Sequence, residues 1–226
     1  MGRRRNGEEK KEERLVPIGV RESVRVVPRS LACAGVSLRE EVVSAEEEAS
    51  LLRWIDSRPW ESRLSRRTQH YGWRFDYATK SCVRAAEAIP PLLWEVLLCR
   101  LVEAPSADAA QVTVNEYLPG QGIAPHVDTH EAFDDGIAAL SLGSGVALRL
   151  KPCLGDAAAA ARETHFLWLP PRSVVTYRGE ARYAYTHGIV ARKGDLLDGE
   201  WRLRERRVSI TVRSARRRRR RLEDDE

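Results

Sequence analysis

The 226 residues predict a mainly β chain with flanking helices (α+β), built on a double-stranded β-helix core of the jelly-roll or cupin-like kind. Two observations carry that expectation. From Val112 onward the chain breaks into short strand-like runs separated by Gly and Pro turns, the pattern of a closed or two-sheet β architecture. The second is a spacing: His126-Val127-Asp128 and His187 form one candidate set of polar side chains although about sixty residues separate them. Two facing sheets bring such residues together, and a simple hairpin does not.

The elements follow in order. Residues 1–14 and 214–226 each carry six basic and four acidic groups, and both are expected to be charged disordered tails around a domain spanning 23–213. Valines make residues 23–43 β-prone. Ser44-Ala45-Glu46-Glu47 is a capping box opening a helix whose apolar face is Ala49, Leu51, Leu52 and Ile55, and Pro59 closes that element. Residues 66–77 read as a hairpin region. Pro90-Pro91 precedes a second amphipathic helix over Leu92 to Val102. The alanine run Ala157 to Ala161 reads as a variable loop, and no internal repeat is evident.

Charge is unevenly spread. Of the net +5, each tail supplies +2, so 26 basic and 25 acidic residues leave only +1 on the body. A high isoelectric point is therefore no sign of a broadly basic core, and any nucleic-acid site must be a local patch. The run Arg216 to Arg221 suits RNA or a nuclear signal, or is a solvated tail balanced by Glu223 to Glu226. Cys33, Cys82, Cys99 and Cys153 show no C-x-x-C pairing and no zinc spacing, which fits a reducing compartment. No stretch approaches twenty apolar residues, and the first residues lack the apolar core of a signal peptide. A cytoplasmic monomer is expected, with nuclear entry open and no membrane association.

The chemistry rests on three segments. In a strand, positions i and i+2 share a face, so His126 and Asp128 can hold one ion together. With His187 they make two imidazoles and one carboxylate, the facial set that binds Fe(II) and leaves other positions open. Asn115 and Tyr117 likewise share a face. In Arg207-Val208-Ser209-Ile210-Thr211-Val212-Arg213, apolar and polar residues alternate with period two. Six residues at about 3.3 Å separate the two arginines by roughly 20 Å. Side chains reaching toward each other cut the guanidinium gap to roughly 8 Å. A five-carbon dicarboxylate fits between or beside them, and the planar fork of arginine matches a carboxylate. Taken singly, each segment has a plainer reading: a chance H-x-D, a structural histidine, a solvated sheet edge.

In order and spacing, N-x-Y (115–117), H-x-D (126–128), His187 and R-x-S-x-T-x-R (207–213) resemble the AlkB-like Fe(II)/2-oxoglutarate dioxygenases. The family has Asn where this chain has Ser209, which keeps a hydrogen-bonding side chain. Residues 115–130 (NEYLPGQGIAPHVDTH), 141–144 (SLGS), 66–72 (RRTQHYG), 169–173 (LPPRS) and 179–189 (GEARYAYTHGI) are similar to the branch that hydroxylates the modified wobble uridine of tRNA anticodons. The resemblance covers roughly 35–213. It implies Fe(II) on His126, Asp128 and His187, with 2-oxoglutarate and O2 as co-substrates, giving succinate and CO2. Arg207, helped by Tyr117, would pair with the distal carboxylate; Ser209 would also belong to this co-substrate pocket, and Asn115 and Arg213 would lie nearer the end bound to iron.

The resemblance also bears on substrate. Relatives that repair alkylated bases carry an acidic residue two positions after the metal aspartate; here it is His130, as in the wobble-uridine branch. Arg66, Arg67, His70 and Tyr71 fall in the region that forms a substrate lid in the family, and basic groups interleaved with aromatics suit phosphates and a splayed base. The implied partners are tRNA and a separate tRNA methyltransferase that would make a substrate of the 5-methoxycarbonylmethyluridine type. Two other readings stay open: an oxidative demethylase of alkylated nucleic acid or protein, and a non-catalytic RNA-binding scaffold.

Overall fold

The computed structural model describes residues 35–62, 65–76, 78–85, 87–101, 104–153 and 163–216. The capping box at Ser44 starts helix α1 (Ala45–Asp56): the Ser44 hydroxyl accepts from the Glu47 N–H at 3.2 Å, and the Glu47 carboxylate accepts from the Ser44 N–H at 2.8 Å. Leu51 and Ile55 on its inner face are fully buried. Helix α2 (Pro91–Val96) is shorter than the sequence predicts. At Leu97 the chain tightens into a 3-10 turn over Leu98–Arg100, which lets the consecutive Leu97 and Leu98 both bury and brings Arg100 onto Glu47 and the Val42 carbonyl.

Thirteen strands are described. After β1 (Val36–Arg39) come β2 (Arg67–Asp76) and β3 (Ser81–Arg84), a hairpin whose turn lies later than the 66–77 region suggested. Then follow β4 (Ala110–Tyr117), β5 (Ile123–His126), β6 (Ile137–Gly143), β7 (Val146–Pro152), β8 (His165–Leu169) and β9 (Val174–Tyr177). A short helix α3 (Gly179–Tyr183) leads into β10 (Tyr185–Ile189), the β11–β12 hairpin (Gly194–Leu197, Glu200–Leu203) and β13 (Arg207–Ser214). A seven-stranded sheet runs β1-β9-β6-β13-β4-β2-β3, and a four-stranded sheet runs β5-β10-β7-β8. The chain from β4 to β13 passes back and forth between the two, so β4, β6, β9 and β13 face β5, β7, β8 and β10. This is the double-stranded β-helix expected from the sequence.

Alternation along the strands builds two cores. Val112, Val114, Leu140, Leu142, Val208, Ile210 and Val212 face α1 and α2 and pack with Leu51, Ile55, Leu93 and Leu98. On the other side of the same sheet, Ile137, Ala139, Val175 and Tyr177 meet Leu148, Leu150, Leu167, Leu169 and Ile189 of the small sheet. β13 lies between β6 and β4, so it is no solvated edge: its first six residues are all buried.

Gly72 sets the angle of the β2–β3 hairpin. It has φ +73, donates its N–H to the Glu87 carbonyl at 2.8 Å and accepts from the Ala85 N–H at 3.0 Å. This kink re-aims the strand, so Phe75 meets Phe133 at 5.9 Å between ring centroids and Cys82 reaches the Ala132 carbonyl. At the C-terminal end, β13 runs through Ser214, and Arg216 pairs with Asp134 at 2.8 Å. The expectations for residues 1–14, 157–161 and 217–226 lie outside the described residues.

A methyl group at position 72 would sit 2.4 Å from the Ala110 carbonyl oxygen, on top of the left-handed φ. Gly72→Ala is therefore expected to lower unfolding free energy by about 2–3 kcal/mol. Gly120→Ala, also at positive φ but with nothing within 4 Å, is expected to cost about 1 kcal/mol. Urea denaturation of the two variants checks the difference.

Candidate active site

The inward face of the large sheet is a ladder of polar rungs. Strand register aligns Arg207 with Tyr117, then Ser141 with Ser209, Asn115 and Thr68, then Thr211 with Thr113 and His70, then Arg213 with Gln111. The residues picked out in N-x-Y and R-x-S-x-T-x-R thus share one buried surface. The small sheet faces it with the metal-ligating candidates. His126 ends β5, Asp128 follows in the next loop, and His187 on β10 is the register partner of His126.

His126, Asp128 and His187 bring one ligand atom each to within 4.8 Å of one another. The imidazole centroids are 4.3 Å apart, and His187 Nε2 lies 3.8 Å from Asp128 Oδ2. His126 Nδ1 lies 2.9 Å from the Ala124 carbonyl, so this nitrogen is the donor there and Nε2 is the candidate ligand atom. Tyr177 stacks on the His187 ring at 5.0 Å. Burial, reinforced by His126, pushes His187 down to about 3, which keeps the imidazole neutral and ready to ligate at neutral pH. Burial opposes ionisation of Asp128, but the Arg213 guanidinium overcomes it and holds the carboxyl at about 2. Asp128 Oδ1 accepts from Arg213 at 3.0 Å, whereas the buried Oδ2 has no hydrogen-bond partner. An ionised, half-satisfied carboxylate beside the neutral His187 imidazole and the His126 ring fits a divalent ion.

Two arginines mark the ends of the ladder. Arg213 is held by Gln111 at 3.0 Å and by Asp128, with its guanidinium over Phe133. Arg207 is buried, donates to Ser141 Oγ at 2.7 Å and lies 5.5 Å from the Tyr117 ring centre. Burial lowers its pKa, its Nε has no partner, and the described residues bring no carboxylate to it. A buried cation without an anion is costly, and a carboxylate ligand would supply the missing charge.

Of the other sequence candidates, Arg66 and His70 face inward. Arg66 Nε donates to Asn115 Oδ1 at 2.9 Å, and His70 Nδ1 contacts Thr113 Oγ1 at 3.3 Å. His130 is exposed on the loop after Asp128, edge-on to Tyr183 at 5.0 Å. Arg67 and Tyr71 do not join them. Successive strand residues point to opposite faces, so these two lie on the helix side: Arg67 makes a two-pronged pair with Glu116, and Tyr71 is core, 5.5 Å from Trp54.

Sequence reasoning missed Arg182. This buried side chain donates to the carbonyls of Asp128 at 2.7 Å and of Thr129 and Phe133 at 3.4 Å, so it pins the loop that presents the carboxylate. Ser141 and Tyr177 were missed too. Arg182 and Ser141 stand inside the motifs at 179–189 and 141–144, but nothing in a linear pattern says that an arginine will turn inward to cap carbonyls.

Fold and site together define an Fe(II)- and 2-oxoglutarate-dependent oxygenase. The sequence matches the family described as the 2OG-Fe(II) oxygenase superfamily over residues 36–213, and the chain belongs to that family, within it to the AlkB-like enzymes. It is 36% identical over 213 residues to the "Alkylated DNA repair protein ALKBH8 homolog" of Arabidopsis thaliana, covering 85% of this chain and 62% of that one. It is also 36% identical over 174 residues to the Xenopus tropicalis "tRNA (carboxymethyluridine(34)-5-O)-methyltransferase alkbh8". That match covers 72% of this chain but 26% of the relative, so the chain spans less than two thirds of the first protein and about a quarter of the second. Among solved structures, OsALKBH1 superposes with a TM-score of 0.59 at 14% identity, over 80% of this chain and 96% of that one, a likeness of fold.

Loaded anaerobically, the protein is expected to take up one equivalent of Fe(II) and His187→Ala to take up none while staying folded; calorimetry with circular dichroism checks both. pH gives a second test. The folded pKa of His187 lies below the unfolded value of 6.5, so below pH 6.5 the unfolded chain binds more protons. Metal-free protein should lose stability as pH falls from about 6.5 toward 4, and His187→Gln should flatten that decline in urea titrations.

Proposed function

We propose that this chain hydroxylates a modified wobble uridine of the 5-methoxycarbonylmethyluridine type in tRNA anticodons, with succinate and CO2 formed from 2-oxoglutarate and O2. The observation that carries the reading is the 36% identity to ALKBH8 proteins over 85% and 72% of this chain, one of them named for carboxymethyluridine at tRNA position 34. The rim supports it. Where repair relatives present an acidic side chain two positions after the metal aspartate, this chain presents the exposed imidazole of His130.

In this reading His126, Asp128 and His187 hold Fe(II), which with 2-oxoglutarate and O2 supplies the oxidation of the substrate C–H bond. The protein's own part is positioning. Arg207 grips the distal carboxylate of 2-oxoglutarate, with Tyr117 and Ser209 beside it, while Asn115 and Arg213 line the end nearer the metal. Arg213 keeps Asp128 ionised, and Arg182 fixes the loop that carries it. Arg66, His70 and His130 face the substrate, and Arg66 links that side to the co-substrate pocket through Asn115. tRNA is the macromolecular partner, and a tRNA methyltransferase activity is the source of the ester.

Succinate formation with Fe(II), 2-oxoglutarate and O2 tests the substrate. Stimulation by tRNA bearing the modified uridine is the expected result. Stimulation by methylated nucleic acid or protein instead would assign the demethylase activity, and no turnover with any of them a non-catalytic scaffold. Arg207→Ala removes a charge-assisted contact worth about 1.5–3 kcal/mol, so the KM for 2-oxoglutarate should rise roughly 10- to 150-fold. Initial rates across 2-oxoglutarate concentrations read this out.

A further inference from the structure

The outer face of the four-stranded sheet carries an unassigned combination of side chains. With Leu148, Leu150, Leu167 and Leu169 turned inward to the core, alternation turns Arg149, Lys151, Phe166 and Trp168 outward. Register sets Arg149 beside Phe166 and Ala147 beside Trp168, while Thr186 and Gly188 of β10 flank Lys151 and Arg149 on the other side. Two aromatic rings therefore stand two residues apart on one strand, roughly 7 Å, with two cations in a parallel column on the neighbouring strand about 4.8 Å away. Gly145 shapes the site: a Cβ there would come within 2.3 Å of the Trp168 ring, so its absence lets the indole lie against the backbone.

Neither Arg149 nor Lys151 has an acidic partner among the described residues, in contrast to Arg67, Arg100, Arg172, Arg204 and Arg206, which are all tied to carboxylates. On a body of net charge +1, an unpaired cation column beside aromatics is a local feature, and its charge complements phosphate rather than an average protein surface. Every base has a π-face that can stack on an aromatic ring, and a sheet that presents rings next to cations is a known way to bind unpaired nucleotides.

We propose that this outer face, centred on Phe166, Trp168, Arg149 and Lys151, binds single-stranded RNA, with bases against the rings and phosphates on the two cations. It extends the tRNA reading above, because it lies on the reverse of the sheet that carries His187 and so holds a stretch of RNA other than the target nucleotide.

The test uses the full chain, a fluorescein-labelled twelve-nucleotide oligouridylate and an RNA duplex of the same length, read by anisotropy at several salt concentrations. The single strand should bind more tightly than the duplex. Arg149→Gln/Lys151→Gln should weaken it about 10-fold and lower the slope of log K against log salt by about 1.4, the value for two lost contacts to a single strand. Phe166→Leu, which keeps the volume apolar, should weaken binding about 5-fold without changing that slope. RNA-independent succinate formation should be unchanged in these variants, and a failure of tRNA turnover would leave the binding result readable. Equal affinity of wild type and variants would overturn the proposal, as would preference for the duplex. So would a wild-type dimer that Phe166→Leu dissociates, which would give the face to a second copy of the chain.

Discussion

Strands β4 and β13 are buried on both faces, and that constraint organises the molecule. A strand buried on one side can discharge its polar residues into water. Here the apolar positions of both strands are spent on the helix layer, so their polar positions, from Arg207 and Tyr117 to Arg213 and Gln111, must be satisfied inside the sandwich. Residues of the same strand, of neighbouring strands and of the loop after β5 answer rung by rung: Ser141 for Arg207, Thr113 for Gln111 and His70, and Gln111 with Asp128 for Arg213. Some demands stay unmet among the described residues: Arg213 Nε and Arg182 Nε beside the ladder's far end, and Asp128 Oδ2 and Arg207 Nε, where a metal ion and a carboxylate belong.

The helix layer secures the same sheet from behind with paired charges. Glu116, on the outer face of β4, binds Arg67 and Arg206, and Arg206 also binds Asp56 at the end of α1. Glu48 of α1 accepts from the Gly143 N–H at 2.7 Å and pairs with Arg172, whose other partner is Glu41. These contacts clamp the N-terminal end of β13, where Arg207 sits. Its C-terminal end is closed by Phe133, by Asp134 and by the loop that Arg182 holds. The ladder is thereby fixed at both ends while its middle faces the small sheet.

The sequence disclosed as much of this as periodicity can carry. H-x-D, the distant histidine and the arginine strand were legible because strand alternation converts spacing directly into a shared face. The same rule, applied along 66–71, would have divided that segment: Arg66 and His70 inward, Arg67 and Tyr71 outward. Reading the segment as one interleaved patch lost that distinction. Arg182 and Ser141 were illegible for a different reason, since their roles depend on which loop or strand lies opposite, which is fixed by the fold and not by local pattern. The second helix failed in its last turn because the burial of Leu97 and Leu98 together outweighed helical continuation.

The buried charges also say how the pocket's occupants depend on one another. Arg207, Arg182 and Arg213 stand in or against the interior with Asp128 as the one carboxylate of the described site, and burial keeps His187 neutral. The balance is about two positive charges before anything binds. A divalent cation alone would raise it further, which repulsion from Arg213 disfavours; a dicarboxylate alone would cancel it, with Arg207, which has Ser141 but no carboxylate beside it among the described residues, as the cation open to pair with it. Bound together they leave the interior no more positive than before. Metal and dianion should therefore bind with positive coupling through the low-dielectric space between them. Asp128, shared between Arg213 and the metal, is where that coupling is strongest.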